Sequence, residues 1–128
     1  MIIEVTPPDA LYWSVSLGNF WWETIDYAGR QSSLNGHQVV LDPDGVFRVV
    51  VAHTDPGFTN WLDTAGNHHG AMIFRWLRAA GAPVPSVRTV PFARLDEELP
   101  AGAPRTDTEA RHDVVEARRA AVERRFPR

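Results

Sequence analysis

Leu11-Tyr-Trp-Ser-Val-Ser-Leu17 is the stretch that decides the fold. Apolar side chains alternate with more polar ones along it, with one face made of Leu11, Trp13, Val15 and Leu17 and the other of Tyr12, Ser14 and Ser16. Successive side chains of a strand point to opposite faces of a sheet, so this alternation predicts an antiparallel strand with one face in the core.

The same kind of pattern continues on both sides of this strand. Residues 2–5 form a short apolar run that ends at a pair of prolines, and they predict a first strand. Residues 72–77 alternate again, and their aromatic content favours a strand over a helix. Residues 86–94 predict a further strand, which Pro91 places at a sheet edge because proline donates no ladder hydrogen bond.

Residues 20–27 are rich in aromatic side chains and fit either a strand or a loop. Trp21 and Trp22 are adjacent, so both cannot face inward from a regular strand. At least one of them is therefore expected at the surface, where a partner or ligand contact should be sought.

Asp42-Pro43-Asp44-Gly45 predicts a tight turn, with Asp at the first position, Pro at the second and Gly where a positive φ is needed. The flanking residues alternate in polarity, which predicts that the turn closes a β-hairpin. Three pairs would share its apolar face: Leu41 with Phe47, Val39 with Val49, and His37 with Val51.

The C-terminal residues predict an amphipathic helix over 106–126. Thr106 would be its N-cap and Glu109 the reciprocal member of a capping box, and the late arginines suit the negative end of the helix dipole. The apolar stripe of this helix is shallow, so it must dock on a sheet or on a partner chain. The expected organisation is a β-sandwich domain over 1–95, a polar linker over 96–105, and the helix.

Composition excludes several classes of protein. The chain of 128 residues is long enough for one domain and has no cysteine, which excludes disulfides and thiolate zinc sites. All 13 basic residues are arginine. The formal net charge is −5 over residues 1–100 and +2 over residues 101–128. The acidic body would repel nucleic acid. No apolar run approaches the roughly 20 residues that cross a bilayer, and no signal peptide is evident. We expect a cytoplasmic protein that binds neither nucleic acid nor membrane.

The segment from His53 to Gly70 carries most of the polar residues that could take part in chemistry. Its nitrogen and oxygen donors suit zinc or iron and are His53, Asp55, Asp63, His68 and His69. No recognised ligand spacing occurs, and loop side chains of these types commonly satisfy their own backbone amides. We therefore expect no bound metal and no cofactor.

Acid–base catalysis is the second hypothesis for this segment, because a histidine beside a carboxylate can act as a general base near neutral pH. The candidate catalytic residues are His53, Asp55, His68 and Arg75, the last as an oxyanion partner. No nucleophile elbow, phosphate loop or dinucleotide fingerprint occurs, so those enzyme classes have no support.

Ligand recognition is the third hypothesis. The polar connector 30–37 has side chains that suit a small anion, although such residues also form turns with their own backbone. Exposed tryptophans stack on sugar rings or cover apolar ligands, although in a small sandwich they are more often core. The candidate ligand-binding residues are Arg30, Ser33, Asn35, Asn60, Trp61, Asp63 and His69.

Several short motifs occur in order over residues 1–93: Tyr12-Trp-Ser-Val-Ser-Leu17, Arg30-Gln-Ser-Ser, Asp55-Pro-Gly, Asn60-Trp-Leu62 and Arg75-Trp76. Together they resemble the domain-of-unknown-function 1214 family. The resemblance implies a jelly-roll-like antiparallel β-sandwich, brings no established activity, and fits a stand-alone form or the C-terminal part of a longer protein. Residues 63–70 and the arginine-rich helix depart from the family pattern.

The sequence thus predicts a mainly β protein, an antiparallel jelly-roll-like β-sandwich of about seven to eight strands with a C-terminal α-helix. Two functional classes remain open. One is a non-catalytic ligand-binding or assembly module. The other is a small hydrolase-, lyase- or isomerase-type enzyme with a His/Asp site in the 53–69 loop. The expected partners are a small-molecule ligand and either further copies of the chain or the subunits of a larger assembly.

Overall fold

The computed structural model describes residues 1–127, and within them seven strands form two sheets. The strands are β1 (Ile2–Val5), β2 (Ala10–Asn19), β3 (Ser33–Asn35), β4 (Phe47–Ala52), β5 (Trp61–Asp63), β6 (Gly70–Ala79) and β7 (Ser86–Arg88). A 3-10 turn (Phe92–Arg94), a short helix α1 (Leu95–Glu98) and a long helix α2 (Thr108–Arg125) follow. The prediction of a mainly β protein with two sheets and a C-terminal helix is confirmed.

The first sheet has the order β5-β4-β1-β7, and the second has the order β3-β2-β6. All pairs are antiparallel except β4 with β5, which run parallel. The expectation of a wholly antiparallel sandwich is therefore wrong at this one pair. No helix within residues 1–127 is long and apolar enough to cross a membrane.

The core lies between the two sheets and follows the alternation of the sequence. Trp13, Val15 and Leu17 of β2 are buried there with Phe47 and Val49 of β4. Full burial of such side chains is worth about 1.5–3 kcal/mol each, which fixes the register of both strands.

Leu11 is the exception to this alternation, because it is 68% exposed. The register between β2 and β6 is interrupted at Leu11, opposite Arg78, whose backbone is left-handed with φ 48°. The prediction that Leu11 belongs to the core face is wrong for this reason.

The turn at Asp42–Gly45 forms, but the predicted hairpin does not. The amide of Gly45 donates to the Asp42 carbonyl at 2.8 Å, and Gly45 has φ 79°. Residues 37–41 form no strand, because β1 and β5 occupy the two edges of β4. Arg48 hydrogen-bonds to Asp42 and Asp44, and its bond to Asp44 lowers the pKa of that carboxyl.

The side chain of Asn60 takes the place of the missing hairpin partner. Its Oδ1 accepts from the Val40 amide at 3.0 Å, and its Nδ2 donates to the carbonyls of Val40 at 2.6 Å and Arg48 at 3.0 Å. One buried amide, 3% exposed, thus joins the 37–41 segment to β4. Unpaired backbone groups would otherwise be left beside the core.

The stretch 96–105, expected to be a linker, packs on the outer face of the first sheet. Ile2 and Val50 point to this face and form an apolar cluster with Leu95, Leu99 and Ala103. Phe58 completes the cluster. The first sheet is therefore covered on both sides.

Two predicted element boundaries also need correction. The strand expected over 86–94 ends at Arg88, and a 3-10 turn follows Pro91, although the strand does lie at the sheet edge. The N-cap of α2 is Asp107, whose side chain accepts from the Ala110 amide at 2.8 Å. Because α2 begins at Thr108, Thr106 lies one residue too early to be the N-cap, and its amide donates to the Gly57 carbonyl beside the bridge between Phe58 and Arg105.

Residues 20–27 form a loop that presents Trp21 and Trp22 to solvent, 76% and 75% exposed. The prediction that at least one of them lies at the surface is confirmed. Asn19 organises this loop, because its Oδ1 accepts from the amides of Trp21 and Glu23.

Candidate functional site

The segment from His53 to Gly70, expected to be one long loop, is interrupted by a strand. It contains β5, which pairs with β4 and divides the segment into two parts. The polar residues of the segment are therefore divided: His53 lies with Thr64 and His68, whereas Asp55 turns away toward α2.

A cleft of about 400 Å³ opens between the two sheets. We name it the histidine cleft. Its apolar floor consists of Leu17, Ile25, Val51 and Met72, and its polar rim consists of His53, Thr64, Asn67, His68 and His69. Three of the five histidines of the chain thus lie at one opening.

His53 and His68 contact each other at this rim, with ring centroids 4.8 Å apart and the rings edge to face. Nδ1 of His53 also hydrogen-bonds to Oγ1 of Thr64. Among residues 1–127, no hydrogen bond or ion pair joins a histidine to a carboxylate, and no three His, Asp or Glu side chains are grouped to hold a metal ion.

Asp55 does not join the histidines. Its carboxylate pairs with the guanidinium of Arg111, at 2.9 Å to Nε and 3.3 Å to Nη2, and also accepts from the Gly57 amide. Arg75 lies on the other sheet and donates to the Ser16 hydroxyl at 3.3 Å. The four candidate catalytic residues therefore do not converge: two meet in the histidine cleft and two are elsewhere.

Arg111 is the centre of a buried polar network and the one buried residue of α2. Besides Asp55, its guanidinium donates to the Gln31 side chain at 3.1 Å and to the backbone carbonyls of Phe58 and Thr59. It also lies 5.1 Å from the ring of Trp61, a cation–π distance. This network attaches α2 to the segment before β5.

Four of the predicted ligand-binding residues hold the fold together. Asn60 bridges to Val40 as described, and the indole of Trp61 donates to the Ala52 carbonyl. Arg30 pairs with Asp63 at 2.9 Å, and Asp63 also accepts from the Ala65 amide. The other three line cavities: His69 lines the histidine cleft, and Ser33 and Asn35 line a second groove.

This second groove, which we name the sheet groove, is a cavity of about 310 Å³ on the outer face of β3-β2-β6. Its floor includes Ser14, Ser16, Ser33, Asn35 and Arg75, and its walls include Tyr12, Trp22 and Tyr27. The strand registers place these floor residues side by side, since Ser14 lies opposite both Asn35 and Arg75.

Sequence reasoning missed Arg111 and Arg118, and it considered Gln31 only as one of the polar side chains of the connector 30–37. Gln31 is buried and donates to the Trp61 carbonyl at 2.7 Å. Arg118 donates to the backbone and side chain of Ser33, and burial lowers the pKa of its guanidinium. A spacing of seven residues places Arg111 and Arg118 on one helix face. That arginine face, rather than the apolar stripe, was the available signal for docking.

Replacing Gly70 with alanine is expected to destabilise the rim of the histidine cleft. A Cβ atom at Gly70 would overlap the backbone oxygen of Gly18, a clash that only backbone movement relieves. We expect a loss of about 1–3 kcal/mol in unfolding free energy, measured by urea denaturation. The matched control is Gly102→Ala, where the added Cβ meets only Pro43 at ordinary contact distance. Equal midpoints for the two variants would contradict the expectation.

Comparison with known proteins gives a structural match without a function. No protein-family model and no curated protein matches the chain. A crystal structure of an uncharacterised protein from Burkholderia cenocepacia is similar, with a TM-score of 0.70 and 41% sequence identity over 73% of this chain. The aligned part is 26% of that protein, so the chain spans about a quarter of its length.

Proposed function

We propose that this chain is a non-catalytic binding module for a small organic molecule, and that the histidine cleft is its site. The observation that carries the proposal is an apolar floor between two sheets, bordered by three histidines, in a cavity of about 400 Å³. Small-molecule sites have this character: a concave, mainly apolar surface of roughly 300–1,000 Å³ with a few polar groups that orient the ligand.

The chemistry of the lining indicates the kind of ligand. Leu17, Ile25 and Met72 offer apolar contact. The rings of His68 and His69 at the rim can donate hydrogen bonds to an acceptor. A molecule with an apolar body and a carbonyl or acidic head fits both parts.

A hydrolase-, lyase- or isomerase-type activity has weaker support. A general base works best when a third group orients it, usually a carboxylate. Here the hydrogen-bond partner of His53 is a hydroxyl, and the carboxylate of Asp55 is paired with Arg111. These contacts favour binding over acid–base catalysis.

A fluorescent probe with an apolar body and an acidic head, 1-anilinonaphthalene-8-sulfonate, tests the proposal. It should bind one site per chain, and the backbone amide NMR shifts that move should be those of Thr64, Asn67 and Met72. His68→Ala should weaken binding several-fold, whereas His112→Ala, which changes an exposed histidine on α2, should leave it unchanged. Shift changes elsewhere, or equal affinities for the two variants, would refute the assignment of the site.

Membership of the domain-of-unknown-function 1214 family and jelly-roll connectivity are further parts of this proposal. The positions of Asn60 and Trp61 support the family, because a buried amide and a buried indole with these roles explain why an Asn-Trp-Leu motif would be needed. We also propose a cytoplasmic module that assembles with further copies of itself or in a larger complex. The exposed aromatic loop around Trp21 supports such a contact.

A further inference from the structure

We infer that the sheet groove is a second binding site, and that its ligand is a sugar ring bearing a carboxylate. The groove lies on the outer face of β3-β2-β6, whereas the histidine cleft opens between the sheets. The inference is therefore independent of the function proposed for the cleft.

The floor of the groove holds a mostly buried serine whose hydroxyl is open to the groove and free of protein partners. Ser14 is 7% exposed, lines the groove, and among residues 1–127 its hydroxyl makes no hydrogen bond to another protein group. Buried polar side chains nearly always have a partner. A hydroxyl that opens into a cavity without one is available to a polar ligand.

The neighbours of Ser14 extend this polar surface. Asn35 uses its Oδ1 to accept from the amides of His37 and Gln38. Within residues 1–127 its Nδ2 donates to no protein group. This donor is therefore available to a ligand in the groove. Ser16 and Ser33 add two more hydroxyls on adjacent strands. Closely spaced donors and acceptors of this kind match the hydroxyls of a sugar ring.

Aromatic rings form the walls around this floor. Tyr12 and Tyr27 are about half exposed, and Trp22 is 75% exposed. Large flat apolar faces beside a polar floor suit a sugar, which has C–H faces and a hydroxyl edge.

The backbone at Trp22 is strained in a way that fits this role. Its φ is 64°, a conformation that bulky residues rarely adopt, and Asn19 holds it there through hydrogen bonds with the surrounding loop. Such strain is concentrated at functional sites.

Arg75 supplies the preference for a carboxylate. No Asp or Glu lines the groove, and the one hydrogen bond of the Arg75 guanidinium within residues 1–127 goes to the hydroxyl of Ser16. Four of its five N–H groups are thus available, in the planar fork that binds a carboxylate with two hydrogen bonds. Arg75 is exposed and hydrated in the free protein, so a carboxylate adds an attraction between charges that a neutral sugar lacks.

Calorimetric titration of the full chain with glucuronic acid and with glucose tests the inference. Glucuronic acid should bind in the millimolar range and glucose about tenfold more weakly. Arg75→Gln should remove that difference. Trp22→Ala should weaken glucuronic acid binding about tenfold, whereas Trp21→Ala changes an equally exposed neighbour outside the groove and should have no effect.

Three results would overturn the inference. The first is no heat of binding at tens of millimolar glucuronic acid, a concentration that saturates a site of this expected affinity. The second is an equal loss of affinity in Trp21→Ala and Trp22→Ala, which would indicate a nonspecific aromatic effect. The third is an unchanged preference for the acid in Arg75→Gln, provided that its thermal unfolding matches that of the parent.

Discussion

Replacing Arg111 with methionine should lower the free energy of unfolding by about 3–5 kcal/mol, because three hydrogen bonds to part-buried or buried acceptors are lost. The guanidinium side chain is only 9% exposed and binds Asp55, Gln31 and two backbone carbonyls. Methionine fills much of the same volume but donates no hydrogen bond. The variant would leave the Gln31 side-chain oxygen and the carbonyls of Phe58 and Thr59 without this donor, whereas the exposed carboxylate of Asp55 would be hydrated.

Urea unfolding followed by tryptophan fluorescence measures this loss. Arg119→Ala is the control, because Arg119 is half exposed on the same helix and pairs only with Glu116 one turn away. Exposed pairs of this type contribute little, so the control should stay within about 0.5 kcal/mol of the parent. If Arg111→Met unfolded at the same urea concentration as the control, the central role of the network would be disproved.

Asn60→Ala should cost about 2–4 kcal/mol, the second largest effect that we expect. The substitution leaves the Val40 amide, the Val40 carbonyl and the Arg48 carbonyl without the partner that the Asn60 side chain provides. All three lie close to the core, where an unsatisfied backbone group destabilises the fold by its full desolvation free energy.

Thermal and urea unfolding of Asn60→Ala should be compared with Asn67→Ala. Asn67 is exposed, and its side chain donates one hydrogen bond to the Thr64 carbonyl. Probe binding by the folded fraction of Asn60→Ala should match the parent, because Asn60 does not line the histidine cleft. A variant that melts like the parent, or one that stays stable but loses probe binding, would show that Asn60 acts on the ligand instead.

Local patterns predicted the parts of the fold that local forces determine. Alternation identified the buried faces of β2 and β4, since burying Phe47 and Val49 is possible in only one register. The Asp42–Gly45 turn formed because its residues have the required backbone preferences. The hairpin failed because β5, which follows the turn by more than a dozen residues, pairs with the edge of β4 that residues 37–41 were expected to occupy.

The candidate site shows the same division between local and distant effects. His53 and His68 were both candidates, with no predicted geometry between them. They meet because β5 runs parallel to β4, which places Asp63 beside Ala52 and brings the residues after β5 close to His53. Asp55 does not take part in the predicted acid–base site, because it pairs with Arg111, 56 residues further along the chain. The residue spacing within 53–70 cannot predict this ion pair, because Arg111 belongs to a helix that is distant in sequence.

The sequence predicted only some of the residues that line the sheet groove. Ser33 and Asn35 were predicted to bind a ligand, but Ser14 and Ser16 counted merely as the polar face of a strand. Outer faces of sheets are usually polar, so that pattern alone marks no site. The groove exists because the loop that carries Trp22 and Tyr27 borders this face, and Arg118 of the distant helix donates to the Tyr27 and Ser33 carbonyls beside it.

The attachment of α2 through Arg111 has a geometric consequence. An apolar stripe tolerates sliding, because neighbouring methyl groups can replace one another, whereas a planar fork of five donors accepts one arrangement of acceptors. Displacement of α2 by a single turn, about 5.4 Å, would remove every hydrogen bond of this guanidinium at once. Insertion or deletion of one residue between Asp107 and Arg111 would rotate the fork away from its acceptors, while changes in length beyond Arg118 would leave the alignment intact.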